Sequence, residues 1–181
     1  MPKTRDTEHL PLAGLESVFM DLYAQPGHLF RRAQQIAVSV FYDVVGDAVT
    51  PIQYALLRML YERPGIDQKT LAGLVALDTV TTATTAERLE AKKLIVRHVD
   101  PANRRQKQLY LTDEGKALLA SLVEGVRRMH GELFRDFQPQ ERDALINLMH
   151  KFVDSNNERS RAPLRTAGTV ARKPGPRRKD E

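Results

Sequence analysis

Five threonines fall within seven positions, Thr79, Thr81, Thr82, Thr84 and Thr85, with Val80 and Ala83 between them. Asp78 precedes the run, and Ala86, Glu87, Arg88 and Leu89 follow it. At the pitch of an α-helix, Thr82, Thr85, Ala86 and Leu89 share one side, and Val80, Thr81, Thr84, Glu87 and Arg88 share the other. Short hydroxyls and free N–H groups at a helix tip can come close to a phosphate or a base edge. Threonine offers a hydroxyl to several bases and a methyl to the thymine methyl, and Val80 offers the second contact alone. β-Branched residues lower helix propensity, so this run is a costly choice for a helix with only a structural task. Thr79 at the tip, and Lys69 near the start of the preceding helix, complete the surface expected to face DNA. Arg104 and Arg105 stand in a polar loop, from which arginines can straddle a backbone or enter a narrowed minor groove. The plainer alternatives are a solvated helix face and a solvated turn.

Other chemistries find little support. His9, His28, His98, His130 and His150 have no close metal spacing, and there is no HExxH, Walker loop, GxGxxG or GxSxG. Glu132 and Asp136 are four apart, but Arg135 beside them favours ion pairing over acid–base work. The 181 residues contain no cysteine, which removes disulfides, zinc-thiolate sites and cysteine nucleophiles and fits a reducing cytoplasm. No enzyme activity, metal or cofactor is expected.

The elements that position these residues follow from periodicity. Residues 1–11 read as a flexible lead. Leu12–Tyr23 has helical apolar spacing, Gln25-Pro26-Gly27 reads as a break, and His28–Val45 reads as a long helix. Thr50-Pro51 starts a helix ending at Glu62, because threonine caps and proline suits the first turn. Asp67 caps a short helix, and Asp78 caps the threonine helix, which runs to about Lys92. The period then drops to two. Ile95–Val99 and Leu109–Leu111 flank the loop from Asp100 to Lys107, giving a hairpin with a basic tip. Thr112 caps a long helix carrying Leu118, Leu119, Leu122, Val126, Met129, Leu133 and Phe137. Gln138-Pro139 separates it from a last helix. The fold class is mainly α with a small β-hairpin wing, a winged helix-turn-helix.

Charge is unevenly placed. The net of +5 divides into +6 for residues 159–181, read as a disordered basic tail, and −1 for the rest. Within the near-neutral body, Arg88–Lys107 holds seven basic residues against Glu90 and Asp100. Such a local excess can face phosphates or simply be solvated. With 41% hydrophobic residues, no uncharged run approaches the roughly 20 apolar residues of a membrane helix. The first residues lack the apolar core of a secretory signal.

The segment around Arg88-Leu89-Glu90-Ala91-Lys92-Lys93-Leu94-Ile95, followed by Asp100-Pro101-Ala102-Asn103-Arg104-Arg105 and Leu109-Tyr110-Leu111-Thr112-Asp113-Glu114-Gly115, resembles the MarR family of bacterial winged-helix regulators. The resemblance covers about residues 20–155. It implies one winged-helix unit over 12–158, with dimerisation helices in 12–46 and 113–157 and a DNA-binding lobe over 50–112. It further implies a homodimer with two reading helices about one DNA turn apart on a pseudo-palindromic operator. Asn103 stands where the family usually has aspartate, and Lys93 where it usually has glycine.

Residues 25–35 resemble the start of the first long helix in aromatic-acid-responsive members, in which the arginine matching Arg31 grips the ligand carboxylate. A guanidinium fork suits that task. Gly27 would let a ligand approach the backbone, His28 stands beside it, and Phe41 and Tyr54 would supply aromatic walls. Arg31 can equally be a surface or interface arginine. The expected function is a DNA-binding repressor released by a small aromatic acid or its thioester. Two rivals remain: an effector-independent or architectural DNA-binding protein, and a winged-helix protein-interaction module.

Overall fold

A computed structural model describes residues 21–99 and 107–166. A 3₁₀ turn at Leu22–Ala24 leads into α1 (Pro26–Val45), α2 (Pro51–Glu62), β1 (Ile66–Asp67), α3 (Gln68–Leu74) and α4 (Thr79–Ala91). Strands β2 (Ile95–Val99) and β3 (Lys107–Leu111) follow, then α5 (Asp113–Leu133), α6 (Pro139–Asn156) and a 3₁₀ turn at Asn157–Arg159. The lead 1–11 and most of the expected helix at 12–23 lie outside the described residues.

Several starts and stops follow from local chemistry. Thr50 and Gln53 exchange hydrogen bonds, the Gln53 N–H to Thr50 Oγ1 at 3.1 Å and the Thr50 N–H to Gln53 Oε1 at 3.2 Å, closing a capping box on α2. Asp67 accepts from the N–H groups of Lys69 and Thr70 at the start of α3. Thr112 accepts from the Gly115 N–H at the start of α5. Gln25, extended as N-cap, makes the expected break after the 3₁₀ turn, but α1 already begins at Pro26, two residues before the expected His28. Proline's missing N–H is harmless there and its fixed φ suits a helix start.

The sheet order is β1-β3-β2, all antiparallel. Ile66 pairs with Leu109, so the two-residue β1 anchors the wing to the lobe. It was not expected, being too short to show a period. β3 begins at Lys107, earlier than the expected Leu109. α5 ends at Leu133, so Phe137 falls in the turn beyond it, its ring edge-on to Phe134 at 5.6 Å.

The core of the lobe is Leu56, Leu57, Leu60, Leu71, Leu89, Ile95 and Leu109, each at most 2% exposed. Phe41, Leu119 and Leu122 continue this cluster to α1 and α5. α6 buries no residue in the single chain. Its Leu145, Ile146, Leu148, Met149, Phe152 and Val153 are all exposed.

The basic tail also starts differently. Disorder was expected from residue 159, yet residues 159–166 follow a hydrogen-bonded path. The Asn157 amide spans Leu164, accepting its N–H at 2.8 Å and donating to its carbonyl at 3.1 Å. Arg165 forms a two-pronged pair with Glu158 and donates its backbone N–H to the Gly73 carbonyl of α3 at 2.8 Å. A side-chain amide that mimics a backbone pair is enough to order a strap without regular structure. Residues 167–181 lie outside the described residues.

Candidate nucleic-acid interface

Asp78 sets the tip of α4. Its carboxylate accepts the Thr81 N–H at 2.8 Å and the Thr81 hydroxyl at 2.7 Å. These bonds, the hydroxyl first, hold the Asp78 carboxyl below the usual aspartate range. Thr82 turns inward and donates its hydroxyl to the Asp78 carbonyl at 2.8 Å. Thr82, Thr85, Ala86 and Leu89 are all buried, as the helical pitch predicts.

The opposite face is open. Thr79, Thr84, Glu87 and Arg88 are exposed, and Val80 is 73% exposed. Arg88 has no side-chain hydrogen bond or ion pair among the described residues. Thr81 is half-buried and its hydroxyl proton is committed to Asp78, so it meets a partner as an acceptor or through its methyl. Lys69 is exposed on α3, whose C-terminal turn leads directly into α4. α4 thus presents a rigidly capped tip, an apolar methyl surface and one free cation.

Not all of the basic segment joins this surface. The Lys92 ammonium donates to the Ala48 carbonyl at 3.0 Å. Arg97 lies 3.2 Å from Glu90 of α4, with its side chain 15% exposed and its Nη2 buried without a partner. The Arg97–Glu90 contact is an ion pair by distance, without hydrogen-bond alignment. Arg104 and Arg105 lie outside the described residues.

α4 ends on Lys93, whose φ of +58° is left-handed. The Lys93 N–H donates to the Glu90 carbonyl at 2.8 Å and the Leu94 N–H to the Leu89 carbonyl at 2.9 Å. This is a Schellman ending made without glycine. Ala76 (φ +52°) closes α3 the same way, its neighbour Leu77 donating to the Ala72 carbonyl at 3.0 Å. The turn that sets α3 against α4 therefore rests on an alanine, a residue with no sequence signal for that task.

The expected acid-binding residues separate into two groups. Gly27, His28 and Arg31 lie in the first two turns of α1, where Arg31 donates to the Gln35 side chain at 2.8 Å. The His28 Nε2 is buried without a partner, and the ring meets Tyr23 edge-on at 5.6 Å. Phe41 lies about 15 Å further along the helix at 1.5 Å per residue. It is 4% exposed, 6.2 Å from the ring of Tyr54, and belongs to the core. One chain does not bring Arg31 to Phe41 and Tyr54. Tyr54 instead lines a cavity of about 390 Å³ between α2 and α5, with Arg58, Tyr61, Lys116 and Val123. Sequence reading missed this group, although Tyr54, Arg58 and Tyr61 are spaced to share one face of α2. Among the described residues no group of side chains could hold a metal ion, and no helix is long and apolar enough to cross a membrane.

The chain matches the MarR family over residues 49–107. It is 31% identical over 145 residues to the HTH-type transcriptional repressor NicR of Pseudomonas putida, covering 80% of this chain and 92% of that one. The fold is similar, at a TM-score of 0.72, to the PcaV transcriptional regulator of Streptomyces coelicolor, solved in complex with its natural ligand. Identity there is 33%, over 76% of this chain and 97% of that one. BpsR of Bordetella bronchiseptica, whose DNA binding is regulated by 6-hydroxynicotinic acid, is similar at a TM-score of 0.72. Its identity is 31%, over 75% of this chain and 98% of that one.

Proposed function

Because the chain belongs to the MarR family of transcriptional regulators, we propose that it is an operator-binding repressor released by a small aromatic acid or its thioester. The observation that carries the DNA reading is α4. A helix capped by Asp78 holds Val80 and Thr84 in solvent beside an unpaired Arg88. Thr79, Val80, Thr81 and Thr84 read base edges, while Lys69, Arg88, Arg104 and Arg105 hold phosphates or the adjacent minor groove.

The protein works as a homodimer. α6 has an apolar face that its own chain leaves open, and Leu29 and Ile36 of α1 are half exposed. A second copy covers these faces and sets the separation of the two reading helices. The effector enters between the dimer helices and the lobe. Arg31 takes its carboxylate, Gly27 and His28 line the approach, and Tyr54 supplies a ring wall once the second copy completes a site that one chain does not assemble. Phe41 supports that wall from the core. A ligand with higher affinity for the non-binding spacing lowers operator affinity by that difference.

NicR is named a repressor, and the DNA binding of BpsR responds to an aromatic acid; both support this reading. The test is fluorescence anisotropy of the purified chain on promoter fragments and on random duplex, with and without aromatic acids. A dimer that prefers one promoter fragment and leaves it on addition of acid is expected. Arg104→Glu with Arg105→Glu should weaken binding, and Arg31→Ala should abolish release while preserving binding. A monomer, or equal binding to random duplex at physiological salt, overturns the DNA reading. Release that no aromatic acid achieves overturns the effector.

A further inference from the structure

The strap after α6 ends against α3. Arg165 donates its N–H to the Gly73 carbonyl, and it lines a cavity of about 450 Å³ together with Asp67, Lys69, Thr70 and Gly73. Two side-chain clasps hold it there. The Asn157 amide engages both backbone groups of Leu164, and the Glu158 carboxylate takes the Arg165 guanidinium at 2.6 and 3.1 Å. That pair neutralises the Arg165 charge, so the end of the strap is a mount rather than a charged contact.

The sequence beyond the mount is of one kind. Residues 167–181 hold Arg172, Lys173, Arg177, Arg178 and Lys179, and their two carboxylates, Asp180 and Glu181, come last. Val170 is their one large apolar residue. Such a segment offers a partner charge, and what it suits is a polyanion. The mount decides which polyanion. In a helix-turn-helix the helix before the reader crosses the DNA backbone. Here that helix is α3, on which Lys69 is exposed. An extended chain spans about 3.4 Å per residue, so Arg172 reaches up to about 20 Å from Thr166 and Lys179 up to about 45 Å. Phosphates follow one another at about 1.7 Å along a duplex axis, so many lie within that radius of α3. Starting the segment at α3 instead of at the end of α6 raises the effective concentration of its cations at the duplex.

We propose that the 157–166 strap mounts the basic C-terminal segment beside α3, so that Arg172, Lys173, Arg177, Arg178 and Lys179 grip the phosphates flanking each half of the operator. This grip rests on the DNA reading of the lobe and lies outside the stretch read by α4 and the wing. It lengthens the footprint and steepens the salt dependence without altering base preference, because phosphates carry no sequence.

The test is hydroxyl-radical footprinting and anisotropy across a salt series, with full-length chains on a promoter fragment that the parent binds. One variant combines Arg172→Gln, Lys173→Gln, Arg177→Gln, Arg178→Gln and Lys179→Gln. The other, Asn157→Ala with Arg165→Lys, removes both clasps and keeps every charge. The parent should protect a central stretch and further sugar–phosphate positions on both sides of it. The neutral variant should keep the central stretch and lose the flanks. Its slope of log Kd against log salt should fall by at least about two for the dimer, and its affinity at about 50 mM salt should fall tenfold or more. The unclasped variant should lose flanking protection while keeping its central footprint. Equal footprints and slopes for the parent and the neutral variant overturn the grip and leave the DNA reading standing. Full flanking protection by the unclasped variant overturns the role of the strap. A parent chain that leaves no footprint on any promoter fragment overturns the DNA reading and the grip together.

Discussion

Arg165 donates its backbone N–H to the carbonyl of Gly73 at 2.8 Å, joining the segment after the C-terminal helix to α3, the helix that precedes the threonine helix. The contact needs Gly73 to lack a side chain. A Cβ there would stand 3.0 Å from the Arg165 Cβ and 3.4 Å from its Cγ. The strap therefore ties α3 to the end of α6 through a route that bypasses α1, α2 and α5.

Gly73→Ala should release this strap while favouring α3, since alanine in a helix gains up to about 1 kcal/mol over glycine. Limited trypsin digestion is expected to cut faster after Arg161 and Arg165 in the variant, with the circular-dichroism helix signal unchanged. Equal cutting rates would mean that the strap absorbs the extra methyl and is not fixed by this contact.

Asp78 carries a pH dependence. Its hydrogen bonds from Thr81 lower its pKa in the folded chain, so the folded state binds its proton less readily than the unfolded state does. The stabilisation is fully present above the ordinary aspartate range of about 3.9 and is lost as pH falls through the lowered value. The melting temperature of Asp78→Ala should lie below that of the parent at neutral pH, and the gap should narrow as pH falls through the acid range. A gap that stays constant would assign the effect to something other than the carboxylate cap.

Two backbone positions at the junction of α4, β2 and α5 should respond in opposite directions. Lys93 is held at positive φ, where a side chain costs roughly 1 kcal/mol, so Lys93→Gly should raise stability by up to about that amount. Gly115 packs against the carbonyl of Leu94, and a Cβ there would overlap that oxygen. Because backbone must move, Gly115→Ala should cost on the order of 3 kcal/mol. Urea unfolding of both variants checks the pair, and similar midpoints for the two would contradict this account of the junction.

The parts of the fold that are legible in sequence are those where one residue decides a local outcome. Thr50, Asp67, Asp78 and Thr112 cap the helices they precede, and the inward set of α4 follows from pitch alone. What sequence hides is tertiary. Ala76 carries no mark of its left-handed turn, and β1 exists only because Leu109 stands opposite Ile66. Arg97 counts as a surface cation until folding sets it beside Glu90. The proposed acid site shows the same limit. Arg31, Phe41 and Tyr54 suit one ligand by residue type, but the distance along α1 from Arg31 to Phe41 decides what one chain can assemble.

The proposed DNA surface separates into two kinds of contact that salt can distinguish. Val80 is apolar and 73% exposed, which costs solvation unless its methyls meet a base. Val80→Ala removes two methyl groups at about 0.8 kcal/mol each, so operator affinity should fall roughly tenfold for each subunit's lost contact. Binding to random duplex, and the slope of log Kd against log salt, should stay as they are. Arg88 is a charge rather than a shape. Arg88→Gln should weaken operator and random duplex alike and reduce the salt slope by about one for each subunit's lost phosphate contact. Anisotropy titrations of both variants across a salt series give all four quantities. If Val80→Ala changed the salt slope, or Arg88→Gln altered sequence preference while leaving that slope intact, the division of α4 into a reading tip and a phosphate grip would be reversed.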